Sequence, residues 1–333
     1  MNQLNLRTIV RGAYDIQKLR IQTGNRIVGN FKAKLGQEPS HKEEEIDAEG
    51  KAILTELRAA YAKLTDGVSR FPRQATFKGN EVISDYTELC LLAQYFELEK
   101  HEKQHFARLG KILKEYPIFT EFLDGVNGIG PAMAGVIISE IDIAKARYPS
   151  SLWAYAGLDV ANGTGRSRRK EHLREVEYTN AKGESATRIG ITFNPLLKSK
   201  LMGVLAGSFL KCVEWNDVEQ AEYDALPETM RRLHKKTGMT QEKTITSPYA
   251  IAYYDYRHRM ENHATYGAHN DKAEDDKGKR ITSKLRRHNM AMRYMIKRFL
   301  VDLYKVWREL AKLPVAPEYS EAKLGLKHSE EAA

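Results

Sequence analysis

Between residues 6 and about 35 the apolar side chains Ile9, Val10, Ala13, Ile16, Leu19 and Ile27 return at helical intervals, interleaved with Arg7, Arg11, Lys18, Arg20 and Arg26. The pattern predicts one long, basic, amphipathic helix. An acidic run at 43–47 precedes Ile53, Leu54, Leu57, Ala60, Tyr61 and Leu64, a second helix that ends near Gly67. Ile83, Tyr86, Leu89, Leu92, Phe96, Leu109, Ile112 and Leu113 continue the periodicity over 82–116, until Pro117 stops it. Residues 1–117 therefore read as all-helical, an extended hairpin or coiled-coil region.

The pattern changes at Gly125, where glycines crowd at 125, 128, 130, 135, 157, 163 and 165 and a compact second unit is expected over 118–215. Within it, the strings EVEYT and TRIGITF alternate around the turn-like NAKGE over 175–193, the one β-hairpin that the pattern predicts. Asn194 and Pro195 open another helix with Leu196, Leu197, Leu201, Val204, Leu205, Phe209 and Leu210 on its apolar side. A helical, basic region is expected over 216–313, with a polar loop at 265–278. Its last helix, about 282–310, carries Leu285, Met292, Met295, Phe299, Leu303, Val306 and Leu310 on one stripe. Residues 314–333 read as a flexible tail. The fold class expected is mainly α.

Composition adds a partner. Lys and Arg number 53 against 44 Asp and Glu, a formal charge of +9 over 333 residues, which favours a polyanion. Only Cys90 and Cys212 occur, so neither a disulfide framework nor a cysteine-rich zinc site is available. The N-terminus lacks the apolar core of a signal peptide, and no stretch approaches a membrane span. A cytoplasmic protein is expected, associated with the nucleoid if it binds DNA, with no membrane partner.

Three segments carry candidate chemistry. The string Phe122-Leu-Asp-Gly-Val-Asn-Gly-Ile-Gly-Pro-Ala-Met-Ala-Gly135 has the pattern of a helix-hairpin-helix. Gly128 and Gly130 suit a tight turn and Pro131 a helix start, so backbone amides would point at a phosphate. A glycine-rich helix connection without a ligand is the plainer alternative. Next, Gly163-Thr-Gly-Arg-Ser-Arg-Arg-Lys170, with Arg174 behind it, forms a glycine-flanked loop whose Arg166, Arg168, Arg169 and Lys170 suit phosphates. Finally, 277–298 holds nine Lys or Arg residues and no acid, with Arg286, Arg293 and Lys297 on one line beside the apolar stripe. Such a face would release counterions from a nucleic acid. Tyr249, Tyr253, Tyr254 and Tyr256 read as helix packing rather than base stacking, and His258, His263 and His269 lack the companions of a metal site.

The segment from Phe122 to about Leu210 resembles the C-terminal transposase domain of the insertion sequence 110/116/902 family, the RNA-guided DEDD transposases. The resemblance rests on Gly125-Val-Asn-Gly-Ile-Gly-Pro-Ala-Met-Ala-Gly135, on Ile137-Ile-Ser-Glu-Ile-Asp142 with Arg147-Tyr-Pro149, and above all on Leu152-Trp-Ala-Tyr-Ala-Gly-Leu158 before the basic loop. The long N-terminal helices are similar to that family's coiled coil. Arg287-His-Asn-Met-Ala-Met-Arg-Tyr-Met-Ile-Lys-Arg298 is similar to the C-terminal ends of some transposase-like relatives. The resemblance implies DNA binding, transposition and recombination. It also implies a serine nucleophile, for which Thr164 and Ser167 are the nearest counterparts. The family's RNase H-like nuclease domain, with its acidic Mg²⁺ ligands, has no counterpart here, so Mg²⁺ enters only if another protein supplies that domain.

The expectation is a DNA-binding protein in which Gly128, Gly130, Arg166, Arg168, Arg169, Lys170 and Arg174 line one groove, extended by Arg286, Arg293 and Lys297. The N-terminal helices would join copies into a homo-oligomer. Two alternatives stand beside it: a non-catalytic binder of structured or guide RNA, and a helical structural protein whose basic faces keep it soluble.

Overall fold

A computed structural model describes residues 3–38, 45–68, 70–274, 278 and 280–318. The protein is mainly helical and divides into two compact units, Met1–Ile112 and Leu113–Ala333. The stretches 118–215 and 216–313 thus share one unit. Lys277, Lys279, Glu43, Glu44 and the tail beyond Glu318 lie outside the described residues. Among the described residues no helix is long and apolar enough to cross a membrane.

In the first unit, α1 (Gln3–Lys34) and α3 (Tyr86–Leu113) run antiparallel. Tyr14 meets Phe106, Arg20 meets Glu102 and Lys34 meets Glu88. The shorter α2 (Ala48–Thr65) starts at Asp47, whose carboxylate accepts from the Gly50 amide at 2.8 Å, an N-cap. Its Leu54, Leu57 and Ala60 close a core with Ile27, Val28, Ile83, Leu89, Leu92 and Tyr95. Each large side chain buried there contributes about 1.5–3 kcal/mol. Gly24 sits in mid-helix because a Cβ there would lie 2.8 Å from Ile46 and 2.9 Å from Tyr95.

The second unit is built around α11 (Lys284–Leu310). Ser283 caps this helix by accepting from the Arg286 amide at 3.1 Å. Its buried face, including Met295, Ile296, Phe299, Leu300, Leu303 and Tyr304, packs against α10 (Pro248–Glu261), α6 (Pro149–Tyr155) and α4 (Pro117–Glu121). Phe299 meets Phe122, Phe209 and Tyr249 at ring distances of 6.3, 5.6 and 5.5 Å. Leu285 and Leu310, expected on the stripe, are exposed at its two ends. α5 (Pro131–Glu140) is buried from Met133 onward. Beside it, α7 (Pro195–Lys200) runs through a π segment, Leu201–Leu205, into α8 (Ala206–Leu210).

The expected hairpin is present, with β3 (Arg174–Thr179) paired antiparallel to β4 (Ser185–Gly190). It is not alone, which corrects the expectation of a single one. β1 (Val160–Ala161) and β2 (Thr164–Gly165) pair across Asn162-Gly163, both residues in the left-handed region at φ 50° and 69°. Asn-Gly is the favoured two-residue hairpin turn. A three-stranded sheet of order β5 (Val213–Asp217), β7 (Thr240–Ile245), β6 (Arg231–Leu233) also interrupts the region expected to be helical, with the short α9 (Gln220–Ala225) between strands. Its strands bury little, and TQEKTI carries one apolar residue, so the period-two signal was nearly absent.

Candidate nucleic-acid interface

The loop 159–174 is held from below by its own side chains. Arg166 clasps the Asp159 carboxylate through Nε at 2.8 Å and Nη2 at 2.6 Å, and its Nη1 donates to Thr192 Oγ1 at 3.1 Å. The pairing holds the guanidinium in its charged form, raising its pKa further. His172, almost fully buried, ties the two limbs together. Its Nδ1 accepts from the Ser167 amide at 3.0 Å, which assigns the proton to Nε2, facing Ala161 O at 3.1 Å and Thr164 Oγ1 at 3.2 Å. The Ser167 hydroxyl stands 3.1 Å from the same Nδ1.

Both hydroxyls that the sequence offered as nucleophiles therefore touch one imidazole. Sequence reasoning passed over His172, which looks like one more polar residue after a basic run. Ser167 Oγ stands beside the same Nδ1 whose lone pair the Ser167 amide engages, so the imidazole orders the loop around both hydroxyls. Thr164 instead faces the protonated nitrogen and the Ala161 carbonyl at 3.4 Å.

Two cations from α11 reach this loop. The Arg293 guanidinium lies against Gly165, where an added Cβ would fall 1.6 Å from Nη1 and 2.2 Å from Cζ. Only glycine permits that approach. One turn later, Lys297 Nζ rests 4.8 Å from the Trp153 ring centroid. From α7, the Lys198 ammonium lies 4.7 Å from the Phe193 ring centroid and donates to the Arg166 carbonyl. Burial lowers the pKa of Arg293, Lys297 and Lys198, and the charge of Arg293 lowers both lysines further, while Asp159 opposes the shift in all three. Four cations thus gather near one carboxylate, and Arg166 already holds it.

The other expected residues are placed variously. Arg168, Arg169 and Lys170 are exposed on the same loop, with Arg169 3.8 Å from Glu171. Arg174 is exposed at the start of β3 and donates to the Glu171 and Leu173 carbonyls. Arg286 is occupied locally, donating to Ile281 O at 2.6 Å and lying over the Tyr266 ring. The neighbouring Arg287 is buried and grips Asp271 at 2.6 and 3.0 Å, so it acts as a clamp for the loop before α11. Tyr249 and Tyr253 are buried, while Tyr256 stacks on Tyr294. His263 and His269 serve a local turn: the Thr265 amide donates to His263, and His269 Nε2 lies 3.1 Å from Ala264 O.

The Gly-Ile-Gly turn lies elsewhere. Gly128 has φ 96°, and a Cβ there would lie 3.0 Å from Cys212 Sγ and 3.1 Å from Phe209. The other end of α5 meets the start of α7, where Asn194 donates to Glu140 Oε2 at 2.8 Å. α5 is therefore antiparallel to α7 and α8, and the turn stands about 15 Å along that helix from Lys198. Ile129 is buried and Gly130 is exposed. Gly128 and Gly130 are thus not brought together with the basic loop.

Compared with protein-family models, curated proteins and solved structures, the chain matches none. Among the described residues no cluster of His, Cys, Asp and Glu is arranged to hold a metal ion.

Proposed function

We propose that the chain binds a nucleic acid, in the first place DNA, by its sugar-phosphate backbone, in a process of transposition or recombination. The observation that supports this reading best is the charge balance at the 159–174 loop. Arg166, Lys198, Arg293 and Lys297 share Asp159, and Arg168, Arg169, Lys170 and Arg174 stand exposed on the same stretch of chain. Arginine forks suit phosphate oxygens, and contacts of this kind hold a backbone without reading bases. The resemblance of 122–210 to a transposase domain supplies the process. In that process Thr164 and Ser167, the two hydroxyls on His172, are the candidate nucleophiles, and comparing Thr164→Val with Ser167→Ala shows which of them strand joining requires.

The test is a binding titration of the full chain on duplex DNA, branched DNA and structured RNA across a salt series. The expected result is duplex binding whose log K falls against log salt with a slope of about −4 or steeper, as several phosphate contacts require. Absence of binding at low salt contradicts the reading. Markedly tighter binding of structured RNA moves it to an RNA ligand.

A further inference from the structure

We infer that Arg293 on Gly165, Lys198 on the Arg166 carbonyl and Lys297 over Trp153 form a discrete seat for one phosphate group, distinct from the exposed arginines of the loop. Arg293 is half-buried yet makes no hydrogen bond or ion pair with any described residue, and its Nε is a buried donor without an acceptor. The indole N–H of Trp153, the ring against which Lys297 rests, is a second such donor. Lys297 likewise makes no ion pair with a described residue. Asp159, the carboxylate whose charge acts on all three, is already bound by Arg166 through Nε and Nη2. Buried donors without acceptors are rare in folded proteins, and half-buried cations without counter-charge are costly.

The missing complement is a group with negative charge and several acceptor oxygens, which describes a phosphate. Gly165 admits the guanidinium to the loop, and the Asp159–Arg166 clasp keeps the loop in position to receive it. The inference rests on the nucleic-acid reading only for the source of the phosphate: a phosphodiester of the bound strand and a free phosphate would satisfy the same donors.

The test is thermal unfolding of the full chain in inorganic phosphate, with ionic strength held constant by chloride. The wild-type midpoint is expected to rise saturably, by several degrees. Arg293→Gln should be at least as stable as wild type in chloride, because it relieves like-charge crowding, and should lose most of the phosphate response. Should that variant not fold, Lys297→Gln is read in its place. A double variant, Arg168→Ala with Arg169→Ala, should keep the response. No rise beyond that in chloride overturns the inference, and so does an undiminished rise in the Arg293 and Lys297 variants. DNA titrations of Arg293→Gln separate the sources: a salt slope shallower by about one unit marks a phosphodiester in the seat, and an unchanged slope with the phosphate response lost marks free phosphate. A phosphate response in a chain that binds no nucleic acid leaves the seat standing and removes the nucleic-acid reading. Duplex binding without a phosphate response does the reverse.

Discussion

A cluster of positive charge in each unit is neutralised to a different extent. On α1 and α2 four cations are matched: Arg20 with Glu102, Lys32 with Glu49 at 2.6 Å, Lys34 with Glu88 at 3.1 Å, and Arg58 with Glu99 at 2.9 Å. Around Gly165 they are crowded, and Arg293 and Lys297 have no carboxylate of their own. Read as sequence, both stretches are basic helices of similar aspect. What separates them is whether an acid arrives from a neighbouring element, and that is a property of the packing. Net charge alone therefore does not tell a neutralised cluster from a crowded one.

The contrast predicts effects of opposite sign. The largest concerns Glu102→Ala, which leaves the largely buried Arg20 without its partner; the expected loss of stability is about 2–3 kcal/mol in a denaturant titration. Gly165→Val should follow, because its side chain displaces the Arg293 guanidinium from its place on the loop. Duplex affinity should fall about tenfold or more, read by fluorescence anisotropy, with the helical content unchanged. Arg293→Met removes a charge where Glu102→Ala removes a partner, and should raise stability by about 1 kcal/mol in the absence of anions.

A pH effect comes next. Lys198 and Lys297 hold their protons less tightly folded than unfolded. Between those lowered values and the ordinary value of about 10.4, the unfolded chain binds more protons, so their contribution makes stability rise with pH. Thermal scans over that alkaline window should show a smaller rise in Lys297→Met. The smallest effect belongs to Lys34→Ala on the exposed rim of the first unit, about 0.5 kcal/mol or less. A loss as large as that of Glu102→Ala would dissolve the distinction between buried and rim pairs.

Much of the helical frame was legible, for physical reasons that recur. α1, α2, α3 and α11 each bury one stripe, so their periodicity survives in the sequence. The sheet of β5, β6 and β7 escaped because its strands are short and polar. The β1–β2 turn carries a readable sign, Asn162-Gly163, but its two-residue strands are too short to show a period. Gly128 was correctly marked as a special backbone position, but its φ of 96° serves close packing on Phe209 and Cys212. At the site, Arg293 and Lys297 could be placed on one helix line with Arg286, whereas Lys198, Asp159 and His172 could not be connected to them. Lys198 comes from a separate helix, Asp159 from just before β1 and His172 from the turn before β3, and only the fold sets all three at the loop. Arg286 drops out because Tyr266 and the Ile281 carbonyl claim it.

The most direct test removes equal charge from the two units. Arg293→Gln with Lys297→Gln, and Lys34→Gln with Arg58→Gln, each lower the net charge by two. Duplex DNA affinity measured for both pairs at one salt concentration should fall about tenfold or more in the first and stay within about twofold of wild type in the second. Equal losses in the two pairs would show that net charge alone attracts DNA, and would contradict the account.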